Sequence, residues 1–197
     1  MTTEISRPRG RPRRFDADEA VATAQQLFHS RGYDAVSVAD LTRALGINPP
    51  SFYAAFGSKA GLYARILDRY AANGAVPLSR ILRGDRPLAE SLAELLEESA
   101  RLYAADPAAT GCLVLEGTRC VDAEAREAAG VFHVAAQGAI RDFIAERRPD
   151  DADRLADFVS TTMAGLSASA RHGQSLERLL ATARLAGLAL AQAASPA

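Results

Sequence analysis

Cysteine and histidine are scarce in this chain: two of one and three of the other, scattered along 197 residues. Cys112 and Cys120 are too few for a disulfide framework. With His29, His133 and His172 they offer no ligand spacing for structural zinc, so no metal is expected. Long apolar runs are missing as well. No stretch of about 18 apolar residues occurs, and the first fifteen residues are arginine-rich without the apolar core of a signal peptide. The expectation is a cytoplasmic protein that neither spans a membrane nor follows the Sec route. The phosphate-loop pattern G-x-x-x-x-G-K-[ST] and the dinucleotide pattern G-x-G-x-x-G are absent. Gly165-Leu166-Ser167-Ala168-Ser169 resembles a nucleophile elbow, but it ends in Ser and lies inside a helical pattern. No catalytic machinery and no cofactor site are legible, so an enzyme is not expected.

What remains is the composition of an ordinary globular protein, with 48% hydrophobic and 24% charged residues. The formal net charge of −1 conceals a division near residue 69. Residues 1–69 hold ten Lys/Arg against seven Asp/Glu, a net of +3; the remainder holds thirteen against seventeen, a net of −4. Within the basic part Arg7, Arg9, Arg11, Arg13 and Arg14 face only Glu4, with Pro8, Gly10 and Pro12 between them, a composition that resists helix. Residues 1–14 therefore read either as a solubilising terminus or as an extended arm for a polyanion, and the character of the adjoining segment decides between the two.

Phe15–Gly32 reads as a helix. Asp16 and Glu19 stand in capping-box spacing, Ala20, Ala24, Leu27 and Phe28 share one face, and Gly32 occupies the C-terminal cap. Ser37 caps a short second helix whose inward face is Val38, Leu41 and Leu45, stopped at Gly46. Asn48 caps a third, and Pro49 and Pro50 take its first two positions, where a missing N–H breaks no intrahelical bond. Two short helices joined by Gly46-Ile47-Asn48 form a helix-turn-helix, the unit that inserts its second helix into the DNA major groove. Phe52 and Phe56, four apart, are expected to pack inward against Phe28, Leu41 and Leu62. Ser51 and Ala54 lie on the opposite side, with Asn48 and Pro50 at the helix start, where side chains approach base edges.

The run Ser37-Val38-Ala39-Asp40-Leu41 to Leu45-Gly46-Ile47, followed by Ser51-Phe52-Tyr53-Ala54-Ala55-Phe56-Gly57-Ser58-Lys59, resembles the DNA-binding domain of the tetracycline-repressor (TetR) family over residues 15–70. The resemblance implies an all-α protein: an N-terminal three-helix helix-turn-helix domain, then a C-terminal helical ligand-binding and dimerisation domain. It also implies repression of transcription, relieved when a small molecule releases the dimer from a palindromic operator on double-stranded DNA. Tyr53 and Lys59, the only lysine in the chain, resemble the family's phosphate-contacting pair. The DNA-contacting set expected is Arg11, Arg13, Arg14, Ser37, Asn48, Pro50, Ser51, Tyr53, Ala54 and Lys59, with the arm's arginines reaching the minor groove. The sequence departs from the family pattern at Ala55, at Pro50, which deletes a backbone donor, and at Gly61, where an acidic residue is usual.

From residue 71 to 197 the helical period continues and the motifs stop. Leu88, Leu92, Leu95, Leu96, Leu102 and Tyr103 mark one helix, Ala128 to Ile144 a long one, and Ala152–Arg171 and Leu176–Ala194 the final pair, with a short apolar piece at Cys112–Val121. Ala, Gly and Ser on the last two helices permit close backbone approach. The resemblance implies that this pair meets its copy, through Leu166, Ala170, Leu176, Leu180, Ala183, Gly187 and Leu188; the alternative reading of the same small residues is packing within one chain. A ligand is expected among Tyr70, Leu92, Leu102, Tyr103, Cys112, Leu113, Glu116, Phe132, Phe143 and Met163. Glu116 and Arg119 read either as a polar contact to that ligand or as a surface pair. Cys112 reads either as a thiol activated at a helix N-terminus, fit to sense oxidants, or as a small core residue. The identity of the ligand, the operator and the choice between repression and activation are not legible. The competing reading of an unregulated architectural DNA coat conflicts with the large acidic C-terminal part.

Overall fold

A computed structural model describes residues 16–193, and among them every regular element is helical. The first three helices are α1 (Ala17–Arg31), α2 (Val38–Leu45) and α3 (Pro49–Phe56). Each begins with a side-chain cap. Asp16 accepts from the N–H groups of Asp18 and Glu19 at 2.9 and 3.2 Å. Ser37 and Asp40 form a reciprocal capping box, and Asn48 Oδ1 accepts from Ser51 N–H at 2.9 Å. These bonds satisfy donors that a helix start leaves open. Gly46 ends α2 in the left-handed conformation, φ +65°, which non-glycine residues rarely enter.

Ser58 caps α4 (Lys59–Asn73) through Gly61 N–H at 2.8 Å. The turn from α3 is so tight that a β-carbon at Gly61 would lie 2.4 Å from the Phe56 carbonyl oxygen. That contact explains the glycine in a position where acidic residues are otherwise usual. The chain continues through α5 (Leu78–Ile81), a single turn that the sequence pattern did not reveal, α6 (Leu88–Tyr103) and α7 (Leu113–Gly117). It ends with α8 (Ala123–Ala145), a 3₁₀ turn at Pro149–Asp151, α9 (Ala152–Arg171) and α10 (Leu176–Ala193). The long helix thus starts at Ala123, five residues before the apolar period begins, because Asp122 caps it through Ala125 N–H.

Two apolar clusters hold these helices. The first joins α1–α4 around Phe28, Leu41, Phe52 and Phe56, with Phe28, Tyr33 and Tyr63 in mutual ring contact at 4.8–5.4 Å. It does not stop at residue 70, since Leu113, Val114, Ala125 and Ala129 belong to it. Gly117 is what lets α7 sit down on α4, because a β-carbon there would meet the Tyr63 hydroxyl at 2.5 Å. The second cluster joins α6, the C-terminal half of α8, α9 and α10. Cys112 packs against both.

The stripe of small residues on the last two helices faces inward. Leu166, Ala170, Ala183 and Gly187 are buried in the chain's own second cluster or against α6, with a β-carbon at Gly187 brought to 3.0 Å from that of Ala93. Leu180 is half-buried against the same cluster. Of the residues expected at a dimer contact, Leu176 and Leu188 are exposed, joined by Phe158 and Leu185. The correction has a simple cause: small residues serve close packing of any helix pair, and here the pair is α6 and α10 within one chain. Among the described residues no helix is long and apolar enough to cross a membrane.

Candidate nucleic-acid interface and ligand cavity

The third helix is divided sharply by face. Phe52 and Phe56 are buried, their rings 5.5 Å apart, and they pack in the cluster that contains Phe28, Leu41 and Leu62. Asn48, Pro49, Pro50, Ser51, Tyr53 and Ala54 are all exposed. Tyr53 keeps half its surface while its ring leans edge-on against Phe52 at 5.4 Å. A helix anchored by aromatics and presenting small and polar side chains outward matches what a major groove admits.

Three residues of the expected contact set are already engaged, Asn48 through the cap that its Oδ1 makes with Ser51 N–H. The Ser37 hydroxyl donates to Asp40 Oδ2 at 2.6 Å while accepting from Asp40 N–H at 3.1 Å, so its first duty is to cap α2. The Lys59 ammonium lies 3.9 Å over the Tyr33 ring, whose hydroxyl donates to Asp122 Oδ2 at 2.9 Å. Burial pulls the Lys59 pKa down, with Asp34 and Asp122 acting in the other direction. Arg11, Arg13 and Arg14 lie outside the described residues.

A cavity of about 480 Å³ opens between the α4–α5 connection and α6, α7, α8 and α9. Of the candidates read from the sequence, Tyr70, Tyr103, Cys112, Phe132 and Met163 line it, while Leu92 is buried in the second cluster. The others lie elsewhere. Leu102 is half-buried on α6, and Leu113 belongs to the first cluster and accepts from the Tyr63 hydroxyl at 3.3 Å. Phe143 packs in the second cluster under the Arg147 guanidinium at 4.1 Å. Glu116 pairs with Arg171 at 3.5 Å and not with the exposed Arg119.

Tyr70, Tyr103 and Cys112 stand together in the cavity lining. Burial pushes the Cys112 pKa up, outweighing the N–H groups of Leu115 and Val114, which pull it down. The thiolate expected from a helix N-terminus is therefore not favoured, because a five-residue helix offers little field and desolvation of the charged form is larger. Both tyrosine pKa values are likewise raised by burial.

The segment before Cys112 ties the cavity to the first helix. His29 Nε2 lies 3.1 Å from the Gly111 carbonyl oxygen. Arg171, from the end of α9, donates to the carbonyls of His29 and Thr110 at 3.2 and 3.0 Å. Cys112 N–H donates to Ser167 Oγ at 2.9 Å. A β-carbon at Gly111, φ +80°, would meet Arg171 Cγ at 2.8 Å. One short stretch of backbone thus carries a cavity wall at Cys112 and a grip on α1 at Gly111.

Comparison with known proteins supplies the lineage. The sequence profile of bacterial regulatory proteins, tetR family, matches residues 20–66. Across 190 residues, 96% of each chain, the sequence is 52% identical to the HTH-type transcriptional repressor BdcR of Escherichia coli (strain K12). The chain belongs to the TetR family. A second relative, the HTH-type transcriptional repressor ComR of the same organism, is 30% identical over 187 residues, 89% of each chain. Among solved structures, a cysteine mutant of the TetR family regulator CifR, complexed with 26-bp double-strand operator DNA, superposes with TM-score 0.81 and 35% identity. It matches 91% of this chain and 99% of its own.

Within this TetR chain, sequence reasoning overlooked the cavity's other walls. Val76 and Ser79 come from the α4–α5 connection, His133, Gln137 and Ile140 from α8, and Ser160 from α9. The α8 residues had a legible signal, since 133, 137 and 140 recur at helical spacing beside Phe132. The connection had none, because a loop wall is placed by the helices at its two ends.

Proposed function

We propose that this protein is a cytoplasmic, ligand-responsive repressor of transcription that binds a palindromic operator as a homodimer and leaves it when a small molecule enters the cavity. The observation that carries the reading is the exposed outer face of α3, held rigid by Phe52 and Phe56 behind it. Ser51 and Ala54 read base edges, Asn48 and Pro50 set the approach of the helix start, and Tyr53 takes a phosphate. Lys59 adds a second phosphate contact from its place beside Tyr33, and the arm's Arg11, Arg13 and Arg14 reach the neighbouring minor groove. A twin subunit, docked through the face bearing Phe158, Leu185 and Leu188, sets the second α3 about 34 Å away, one turn of DNA.

The division into an arm (1–14), a reader (15–70) and a regulatory part (71–197) describes these duties, with Gly111, His29 and Arg171 linking the last two. Support comes from the two relatives named as repressors and from CifR bound to operator DNA. The test is a competition gel shift with DNA from upstream of the protein's own coding region, followed by a reporter assay. A preference of about 10³-fold or more over random DNA is expected, with reporter expression rising when the protein is deleted. Equal affinity for all DNA overturns the regulator; expression that falls on deletion makes it an activator.

A further inference from the structure

The lining of the cavity has a definite chemical character. Its walls are largely apolar, with Val76, Leu115, Phe132, Ile140 and Met163 among them; His133, Gln137, Ser79 and Ser160 add neutral polar groups or an imidazole, and among the described residues no Asp, Glu, Lys or Arg lines it. Glu116, the nearest carboxylate in sequence, is turned away to Arg171. Tyr70, Tyr103 and Cys112 are held in their neutral forms by burial. An ionic ligand would shed its water here and meet no carboxylate, ammonium or guanidinium in return, a large loss in a medium of low polarity.

The polar wall is specific in a second way. The phenols of Tyr70 and Tyr103 are O–H donors, and they line the cavity together with Cys112, whose sulphur is only a weak acceptor. A carbonyl, ester or ether oxygen brought to the same point accepts these O–H groups better than the thiol does. Taking the cavity as the effector site proposed above, we infer that its ligand is an uncharged, mainly apolar molecule carrying an oxygen acceptor, which docks on the Tyr70 and Tyr103 hydroxyls beside Cys112. The size, about 480 Å³, is that of sites for small organic ligands.

The experiment uses the full chain without DNA and matched probes: benzylacetone and cyclohexylacetone, their carboxylate and amine isosteres, and butylbenzene as the hydrocarbon. Calorimetry or ligand-detected NMR reads the affinities. The ketones are expected to bind at least about a hundredfold more tightly than either charged isostere. Tyr70→Phe and Tyr103→Phe should each weaken ketone binding about three- to tenfold and leave butylbenzene unchanged. Thermal unfolding of both variants identifies any that fails to fold, in which case the other carries the test. Equal or tighter binding of a carboxylate or amine, no ketone binding at millimolar concentration, or ketone affinity untouched in a folded Tyr→Phe variant overturns the inference. A gel shift on the same preparation separates the two readings. Specific DNA binding with charged ligands preferred sinks only the ligand class, and ketone binding without specific DNA binding sinks only the repressor.

Discussion

Glycine at position 61 sits in the first turn of α4, where helix propensity alone favours replacement by alanine by about 1 kcal/mol. The Phe56 carbonyl 2.4 Å from the absent β-carbon reverses that sign. Gly61→Ala is expected to destabilise the protein by about 1–3 kcal/mol in urea unfolding, the cost of forcing an atom into a closed space. A stabilised variant would show that the α3–α4 turn is looser than described. Lys59 and Ser51 divide the DNA contacts by kind. Lys59→Ala should weaken binding to all sequences alike and flatten the log–log salt dependence by about one unit per half-site, whereas Ser51 variants should change which bases are preferred. Gel shifts over a salt series and a randomised operator library measure the two effects, and an exchange of outcomes would overturn the assignment.

Among the elements, the contact of α1 with the Gly111 segment and the end of α9 governs both stability and communication. His29 is held below its ordinary pKa of 6.5, first by burial and then by the Arg171 charge, while the Gly111 carbonyl, Asp106 and Glu116 act to raise it. A base whose pKa is depressed on folding binds fewer protons folded than unfolded below about pH 6.5. Its contribution to stability is therefore present above that pH and is lost as pH falls through the lowered value. His29→Gln should lose less stability than the parent between about pH 7.5 and pH 5, as read by urea midpoints; an identical loss would exclude His29 as the titrating group. Arg171→Ala removes two bonds to backbone carbonyls and the Glu116 pair, and is expected to cost about 1–3 kcal/mol. The same variant should still bind ligand in the cavity while ligand no longer lowers its DNA affinity, a separation that calorimetry and gel shifts report independently.

For the whole molecule the deciding feature is which apolar surface is left uncovered. Leu185 and Leu188 are 69% and 70% exposed on α10, with Phe158 and Leu176 also open. Exposed large apolar side chains such as Leu185 and Leu188, three apart on one helix, call for a partner. Leu185→Glu with Leu188→Glu is expected to yield a monomer by light scattering with unchanged helicity and greatly weakened operator binding. Gly187→Leu, one residue from Leu188, should instead damage the fold, because its side chain would enter the α6 contact at Ala93. A monomeric parent chain, or a dimer that survives the double glutamate change, would remove this face from the assembly.

The helices, their caps and the inward aromatics of the reader were written locally: Asp16, Ser37, Asn48 and Ser58 each bond a donor within three residues, and Phe52 and Phe56 share a face by spacing alone. Such features depend on neighbours in the chain, so the sequence carries them entire. The cavity walls, the seat of Lys59 over Tyr33, the neutral Cys112 and the inward turn of Ala183 and Gly187 depend on residues far away in sequence. Burial and pairing decide these, and both are properties of the packed chain: a thiol's charge or a small residue's partner is set only when another helix arrives beside it.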